Sequence, residues 1–393
     1  MKKLCLICAF LFLLLPASGC AHLGLSLSRT EIDKIFNTRV IAIDKLADGR
    51  VRLTITTRKT DGSTLSSGTS KEKSEILVGT GDTVFSAVRN ILTYSSKKPH
   101  YGHAEFILFG EDTARDGIMP YLDFITRNYE FRYNAKIYII KGDTAYDFIT
   151  KSNEGDLYLA ERLSNLEDNS KSLSESSIVT LSDILFLIEK KDIATYIPYI
   201  TLQKAPPDEK KSSGSYDLVL QGYSIFKGDR LQLFLNNTQS RALNWIKNRI
   251  YSGYIIVNAP DGNRVSLEII NSKTVIKPYM DEKGLSCDIK VTFNTNIAET
   301  TAKTNIFTPE GFLYLERQQV NDIKAQLESI IQLAQKENLD IFGIQTNFVM
   351  QYPMLKNEIR DQWQELFPTI KFSLEIKSNI NRTYMLKETT SSM

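Results

Sequence analysis

His103-Ala104-Glu105-Phe106-Ile107-Leu108-Phe109-Gly110-Glu111-Asp112-Thr113-Ala114-Arg115-Asp116-Gly117-Ile118 sets four consecutive apolar residues in front of a glycine and a charged run. Ala104 to Phe109 reads as a strand. Asp116 starts or restarts a helix on which Ile118, Leu122 and Ile125 fall at helical spacing, and Ala135 to Ile140 returns as a strand. Strand, helix and strand in that order predict a mixed α/β unit.

Toward the N-terminus, Ser28-Arg29-Thr30-Glu31 has the form of a capping box opening a helix through about Phe36. Val40 to Ile43 forms a strand, and Val51, Leu53 and Ile55 alternate with polar residues as a second. Thr60 to Ser74 is a solvated loop, after which Asp82 or Thr83 caps a helix carrying Val84, Ala87, Val88 and Ile91 on one face. Toward the C-terminus the chain turns polar from Lys151 to Ser177, which predicts a crossing or subdomain seam. Leu181 to Ile188 is a short helix before an extended Tyr196 to Ile200.

Gln203 to Ser215, with Ala205-Pro206-Pro207 and a Lys/Ser/Gly run, has linker composition. Beyond it the strand candidates are Leu218 to Phe226, Gly253 to Val257, Val265 to Ile270, Thr274 to Pro278, Leu285 to Asn294 and Phe372 to Ile380. A helix from about Gln319 to Lys336 carries Val320, Ile323, Leu327, Ile330, Ile331 and Ala334 on one stripe, the pattern of a helix packed on a sheet. The expected fold class is α+β or mixed α/β, multi-domain, with a C-terminal sheet packed by a long helix. The expected divisions are a signal peptide (1–19), a tether (20–27), an N-terminal mixed α/β domain (28–150), a middle subdomain or crossing segment (151–202), a linker (203–215) and a C-terminal domain (216–393).

The first residues carry the most specific signal. Lys2 and Lys3 precede twelve apolar residues, Leu4 to Leu15, too few to span a bilayer, and Pro16-Ala17-Ser18-Gly19-Cys20 follows. Ala17-Ser18-Gly19-Cys20 resembles a bacterial lipobox, in which the chain is cut before the cysteine and its thiol receives diacylglycerol. Cys20 is therefore the expected lipidation site, bearing covalent diacylglycerol and an N-acyl chain as a membrane anchor. The alternative is an ordinary secretory signal with a chance cysteine. Cys5 and Cys8 leave with the signal, so Cys287 stands alone and no internal disulfide is expected.

Composition narrows the chemistry. Of 393 residues 42% are hydrophobic and 24% charged, which is globular composition and excludes a wholly disordered chain. Lys plus Arg exceed Asp plus Glu by 48 to 46, and Lys2 and Lys3 account for the difference. A mature chain balanced in this way exerts no bulk pull on nucleic acid, and no nucleic-acid partner is expected. Neither phosphate-loop pattern occurs, nor does Gly-x-Ser-x-Gly. Three histidines, His22, His100 and His103, make no zinc-spaced cluster with one thiol, so neither a metal nor a cofactor site is expected. Asp123, Arg127, Glu130 and Arg132 form a dense charged segment with Asp123 and Arg127 at i, i+4. It reads as ion pairs tying helix to loop, with an anion site as the alternative.

These residues resemble a family. His103 to Ile118, continuing through Arg127, Glu130 and Arg132, is similar to the N-terminal region of the Ger(x)C spore germination lipoproteins, where a His-led strand, Gly-Glu and an Arg-x-x-Glu-x-Arg element recur. Tyr223-Ser224-Ile225-Phe226-Lys227-Gly228-Asp229-Arg230-Leu231, Asp340-Ile341-Phe342-Gly343, Tyr352-Pro353, Trp363 and Phe367-Pro368 resemble its C-terminal region. Ala21-His22 departs from the Trp that usually follows the lipidated cysteine. The resemblance implies a three-domain, non-enzymatic body serving as the C subunit of a nutrient germinant receptor, required for spore germination. It would be lipid-anchored on the outer face of the spore inner membrane, with polytopic A-type and transporter-like B-type subunits as partners and no catalytic residues. The alternative function is an extracytoplasmic solute-binding lipoprotein that captures a small germinant.

Overall fold

The computed structural model describes residues 34–58, 74–153, 158–189, 193–205, 216–282 and 284–383. In chain order its first part gives β1 (Ile35–Asn37), β2 (Val40–Lys45), β3 (Val51–Arg58), β4 (Ser74–Gly81), α1 (Val84–Ile91), β5 (Lys98–His100), β6 (Phe106–Gly110), α2 (Glu111–Asp116), α3 (Met119–Arg127), β7 (Lys136–Ile140), α4 (Ala145–Ser152), α5 (Leu159–Ser170), α6 (Leu181–Glu189), β8 (Thr195–Lys204), β9 (Tyr216–Lys227) and β10 (Arg230–Phe234).

Eight of these strands form one mixed sheet in the order β10-β9-β8-β7-β6-β2-β3-β4. The pairs from β2 through β6 and β7 to β8 are parallel, and antiparallel strands flank them on both sides. The central strands read as unbroken apolar runs because helices cover both faces. Ile41, Ile43, Ile107, Phe109, Ile137 and Ile139 share a core with Val84, Ala87, Leu122, Ile125, Leu181 and Ile184. Their neighbours Val40, Ala42, Phe106, Leu108, Tyr138 and Ile140 face the other way, against Phe148, Ile149, Leu159 and Leu163. β1 and β5 make a separate two-stranded parallel sheet.

The second part gives α7 (Asn237–Ile246), β11 (Tyr254–Asn258), β12 (Arg264–Asp281), β13 (Gly284–Thr300), α8 (Pro309–Lys336), α9 (Ile344–Gln351), α10 (Lys356–Asp361), α11 (Trp363–Leu366) and β14 (Lys371–Thr383). Its four strands run β11-β12-β13-β14, the last pair parallel. α8 starts where Thr308 accepts the Gly311 N–H and Pro309 takes the first turn, and it buries Leu315, Ile323, Leu327, Ile330 and Ala334. α7 joins the parts: Tyr223 of β9 donates its hydroxyl to Asn244 at 2.9 Å, and the Trp245 ring packs 5.1 Å from Phe293 of β13. The mixed α+β, multi-sheet body is thus as the sequence predicts, with the long helix packed on the C-terminal sheet.

Several elements differ from expectation. Phe36, expected at a helix end, is buried in strand β1, which pairs with β5 through Phe36 and Pro99. Asp116 ends α2 rather than starting a helix, because Gly117 at φ 126° breaks the chain and α3 restarts at Met119. Within the polar stretch expected as a crossing, α5 packs on the large sheet, since Leu159, Ala160 and Leu163 bury on one face despite the surrounding Asn, Ser and Asp. Val265 to Ile270 and Thr274 to Pro278 are one strand, β12, with a register shift between Ile269 and Asn271. Leu218 to Phe226, assigned with the C-terminal strands, lies in β9, which pairs along β8 and carries β10 on the edge of the large sheet. β4 has no counterpart in the expected elements. The signal peptide, lipobox and tether, most of the Ser28–Phe36 helix and nearly all of the Thr60–Ser74 loop lie outside the described residues.

Candidate functional site

α1 buries Val84, Ala87 and Ile91 and is started by a reciprocal cap: Thr83 Oγ1 accepts the Ser86 N–H at 3.1 Å, and Ser86 Oγ accepts the Thr83 N–H at 2.9 Å. That leaves Phe85 and Arg89, one turn apart, off the buried stripe, with the Arg89 guanidinium 5.0 Å from the Phe85 ring. α3 buries Leu122 and Ile125 and carries Asp123, Phe124 and Arg127 beside them. Between the two helices, bounded by Lys98–Tyr101 and Asn128–Glu130, is a groove of about 760 Å³.

Its aromatic wall is continuous. Tyr101 stacks on Phe131 at 4.7 Å between centroids, meets Phe124 edge-on at 6.2 Å, and Phe124 stands 6.4 Å from Phe85. Tyr101 is only 4% exposed, and its hydroxyl has no hydrogen-bond partner among the described residues. Burial, and then the charge of Glu130, push its ionisation well above the usual tyrosine range. Glu130 accepts the Tyr101 N–H at 3.0 Å and lies 3.2 Å from His100 Nδ1. The His100 carbonyl accepts the Thr38 N–H at 3.0 Å, so the wall is continuous with the β1–β5 pair.

Of the residues singled out in the sequence, Asp123 and Arg127 form the expected pair, Arg127 Nε donating to both carboxylate oxygens at 2.8 Å. Glu130 reaches the same groove but pairs with His100 rather than with them, and Arg132 is not among the lining residues. His103 packs against His100 with centroids 6.2 Å apart. Cys287 is buried with a free thiol, which burial pushes up to about 12. Among the described residues no cluster of His, Cys, Asp and Glu is placed to hold a metal, and no helix is long and apolar enough to cross a membrane. Cys20 lies outside the described residues. Phe85, Arg89, Lys98, Tyr101 and Phe124 escaped the sequence reading. The available signal was Phe85 and Arg89 at i, i+4, off the apolar stripe of α1. The arrangement is one for binding: aromatic walls, a buried hydroxyl and a charged rim.

Two family models match the chain in order, one described as "Spore germination protein N-terminal domain" over residues 28–202 and one as "Spore germination B3/ GerAC like, C-terminal" over residues 221–384. The groove lies within the first. YfkR of Bacillus subtilis (strain 168) is 25% identical over 358 residues, covering 90% of this chain and 91% of YfkR. Spore germination protein B3 of the same strain is 24% identical over 378 residues, covering 94% and 95%. The crystal structure of the GerBC protein superposes with a TM-score of 0.53 at 19% identity, over 86% of this chain and 96% of GerBC, a likeness of fold.

Proposed function

Because this chain belongs to the Ger(x)C family of spore germination proteins, we propose that it is the lipid-anchored C-type subunit of a nutrient germinant receptor. In this reading it works without catalysis, by assembly or signalling with an A-type and a B-type membrane subunit on the outer face of the spore inner membrane. The observation that carries the reading is the order of parts: a charged, apolar, Ala17-Ser18-Gly19-Cys20 leader, then both family regions along one chain.

The physical argument is confinement. Acyl chains at Cys20 contribute about 0.8 kcal/mol for each buried CH₂, and two or three chains hold firmly. A subunit restricted to the surface that holds its partners meets them at high effective concentration, so modest contacts suffice for assembly. From Cys20 to Lys34 the chain reaches at most about 50 Å when fully extended. β1 follows at once and pairs with β5, so the anchor tethers the β1–β5 edge of the body within about that reach of the membrane.

The test is a detergent pull-down of the lipoprotein from spore inner membrane with mass spectrometry of the co-purifying chains. Recovery of an A-type and a B-type subunit is the expected result. Recovery of neither, under conditions that preserve other membrane complexes, overturns the proposal.

A further inference from the structure

We infer that the chain pairs with a second copy of itself along the open edge of β14, antiparallel and centred on Ile376. The contact needs this chain alone and stands apart from which membrane subunits assemble with it.

β14 is the last strand of the C-terminal sheet, and among the described residues its strand neighbour is β13 only. From Lys371 to Ile380 the two pair without a shift. α8 reaches both ends of this run: Gln335 Nε2 donates to the Ile370 carbonyl at 2.8 Å, and Glu316 Oε1 accepts the Ile380 N–H at 2.9 Å. Both groups are thus held off the β13 ladder. Backbone groups alternate sides along a strand, so between these two caps Phe372, Leu374, Ile376 and Ser378 turn their N–H and C=O groups to the open edge. A row of unpaired backbone groups is a template for another strand. The side chains of α8 blunt its ends and leave its middle open.

The side chains of the strand choose the occupant and the register. Toward α8, Phe372, Leu374, Ile376 and Ile380 are only half-buried against the core. On the other face Ser373, Glu375, Lys377 and Asn379 are exposed. Setting Ile376 opposite its copy and Leu374 opposite the copy's Ser378 keeps each face continuous across the seam. The same register puts Glu375 opposite the copy's Lys377 and Lys377 opposite the copy's Glu375. A slip of two residues one way lays Glu375 on its own copy, and the other way it lays Lys377 on its own copy, like charge on like charge. Charge complementarity therefore favours a second copy in this register over its neighbours.

Within one chain Glu375 already meets Lys290 at 3.0 Å and Lys377 at 2.8 Å, all exposed. Pairing turns Lys377 across the seam and leaves Glu375 its Lys290. One strand pair is a modest contact, and confinement of both copies to one surface raises their effective concentration.

The test is site-directed cross-linking in cells that make two differently tagged copies of the full chain and no other receptor subunits. One copy carries Ser373→Cys and the other Asn379→Cys, exposed positions that face each other in this register. At such a non-hydrogen-bonded pair the Cα atoms lie about 4.5 Å apart, within disulfide reach. Cys287 is buried, and the wild-type chain gives the background. Mild oxidation should join the two tags, and Ser373→Cys should join its own kind at least about tenfold less. Adding Glu375→Lys to both copies, or Lys377→Glu to both, should lower the yield about tenfold, since each sets like charges across the seam twice. Glu375→Lys in one copy with Lys377→Glu in the other should restore it, a rescue that no folding defect would produce. A yield at background, equal joining of Ser373→Cys to itself, or indifference to the charge changes overturns the inference. Cross-linking to a different chain in place of the second copy overturns it as well.

Discussion

Gly110 makes room for Asp44. A Cβ at position 110 would lie 2.4 Å from Asp44 Oδ1 and 3.2 Å from the Ala145 nitrogen. The Gly110 backbone sits at φ −63°, open to any residue, so it is space and not conformation that excludes a side chain. The Asp44 carboxylate is buried at the end of β2, where it accepts the N–H groups of Ala145 and Tyr146 at 2.8 and 2.9 Å and ties the first turn of α4 to the sheet.

Gly110→Ala should therefore destabilise the protein by about 1–3 kcal/mol, the usual cost of overpacking. Denaturant titration of Gly110→Ala, Asp44→Ala and the double variant checks the cause. The double variant should lose less than the sum of the singles, because shortening Asp44 relieves the clash. Strict additivity would mean that the two residues do not share this space.

Glu167 gives a pH dependence. It is buried beneath the sheet, where Lys136 and the Tyr138 hydroxyl donate to it. Burial raises its carboxyl above the ordinary glutamate value, and those hydrogen bonds pull it only partly back. The folded state then binds the proton more tightly than the unfolded state. Stability from this group is complete below the ordinary value and is lost as pH rises through the folded one. The melting temperature of Glu167→Gln relative to wild type should accordingly climb as pH rises from the ordinary glutamate value through the raised folded one. A constant or falling difference would contradict the raised carboxyl.

Trp363 and Phe367 are the anchors of the C-terminal corner. Trp363 is 1% exposed, with the Phe348 and Phe367 rings 6.0 and 5.9 Å away. Trp363→Ala should cost about 3–5 kcal/mol through the cavity it leaves. Calorimetry of the variant checks this, and an unmoved transition would show that the corner contributes nothing to the cooperative fold.

Cys20→Ala should leave the body folded and release it from the membrane. Membrane fractionation with high-salt washing, in cells lacking the partner subunits, checks it against an unchanged melting curve. Retention of the variant in the membrane fraction would refute a lipid anchor at this position.

Much of the architecture was legible because central strands and packed helices write their periods plainly. Phe106 to Phe109 is apolar throughout, and α8 repeats its stripe over several turns. α5 was hidden because Leu159, Ala160 and Leu163 are few among polar neighbours, and helix there is decided by the sheet it packs on. The allegiance of β9 was hidden for another reason. Strand pairing is a long-range choice, and a linker composition before Tyr216 pointed to a break where the register runs on. Of the groove, the sequence exposed Val84 and Val88 as helix spacing and Asp123, Arg127 and Glu130 as a charged segment, but not its aromatic wall, since Phe85, Tyr101 and Phe124 come from three separate segments brought together by the fold.

β8 ends at Lys204 opposite the first residue of β9, Tyr216, and the two strands pair back to Thr195 and Phe226. One family region ends at residue 202 and the next begins at residue 221, so the seam between recognisable modules falls inside a single ladder. A polypeptide opened between these strands would carry complementary portions of one sheet on two pieces, and α7, seated on Tyr223 and Phe293, would travel with the second. Alone, each piece would leave an edge of that ladder unpaired. Together they have the makings of fragment complementation, in which reassembly of the ladder reports that two separately made halves have met.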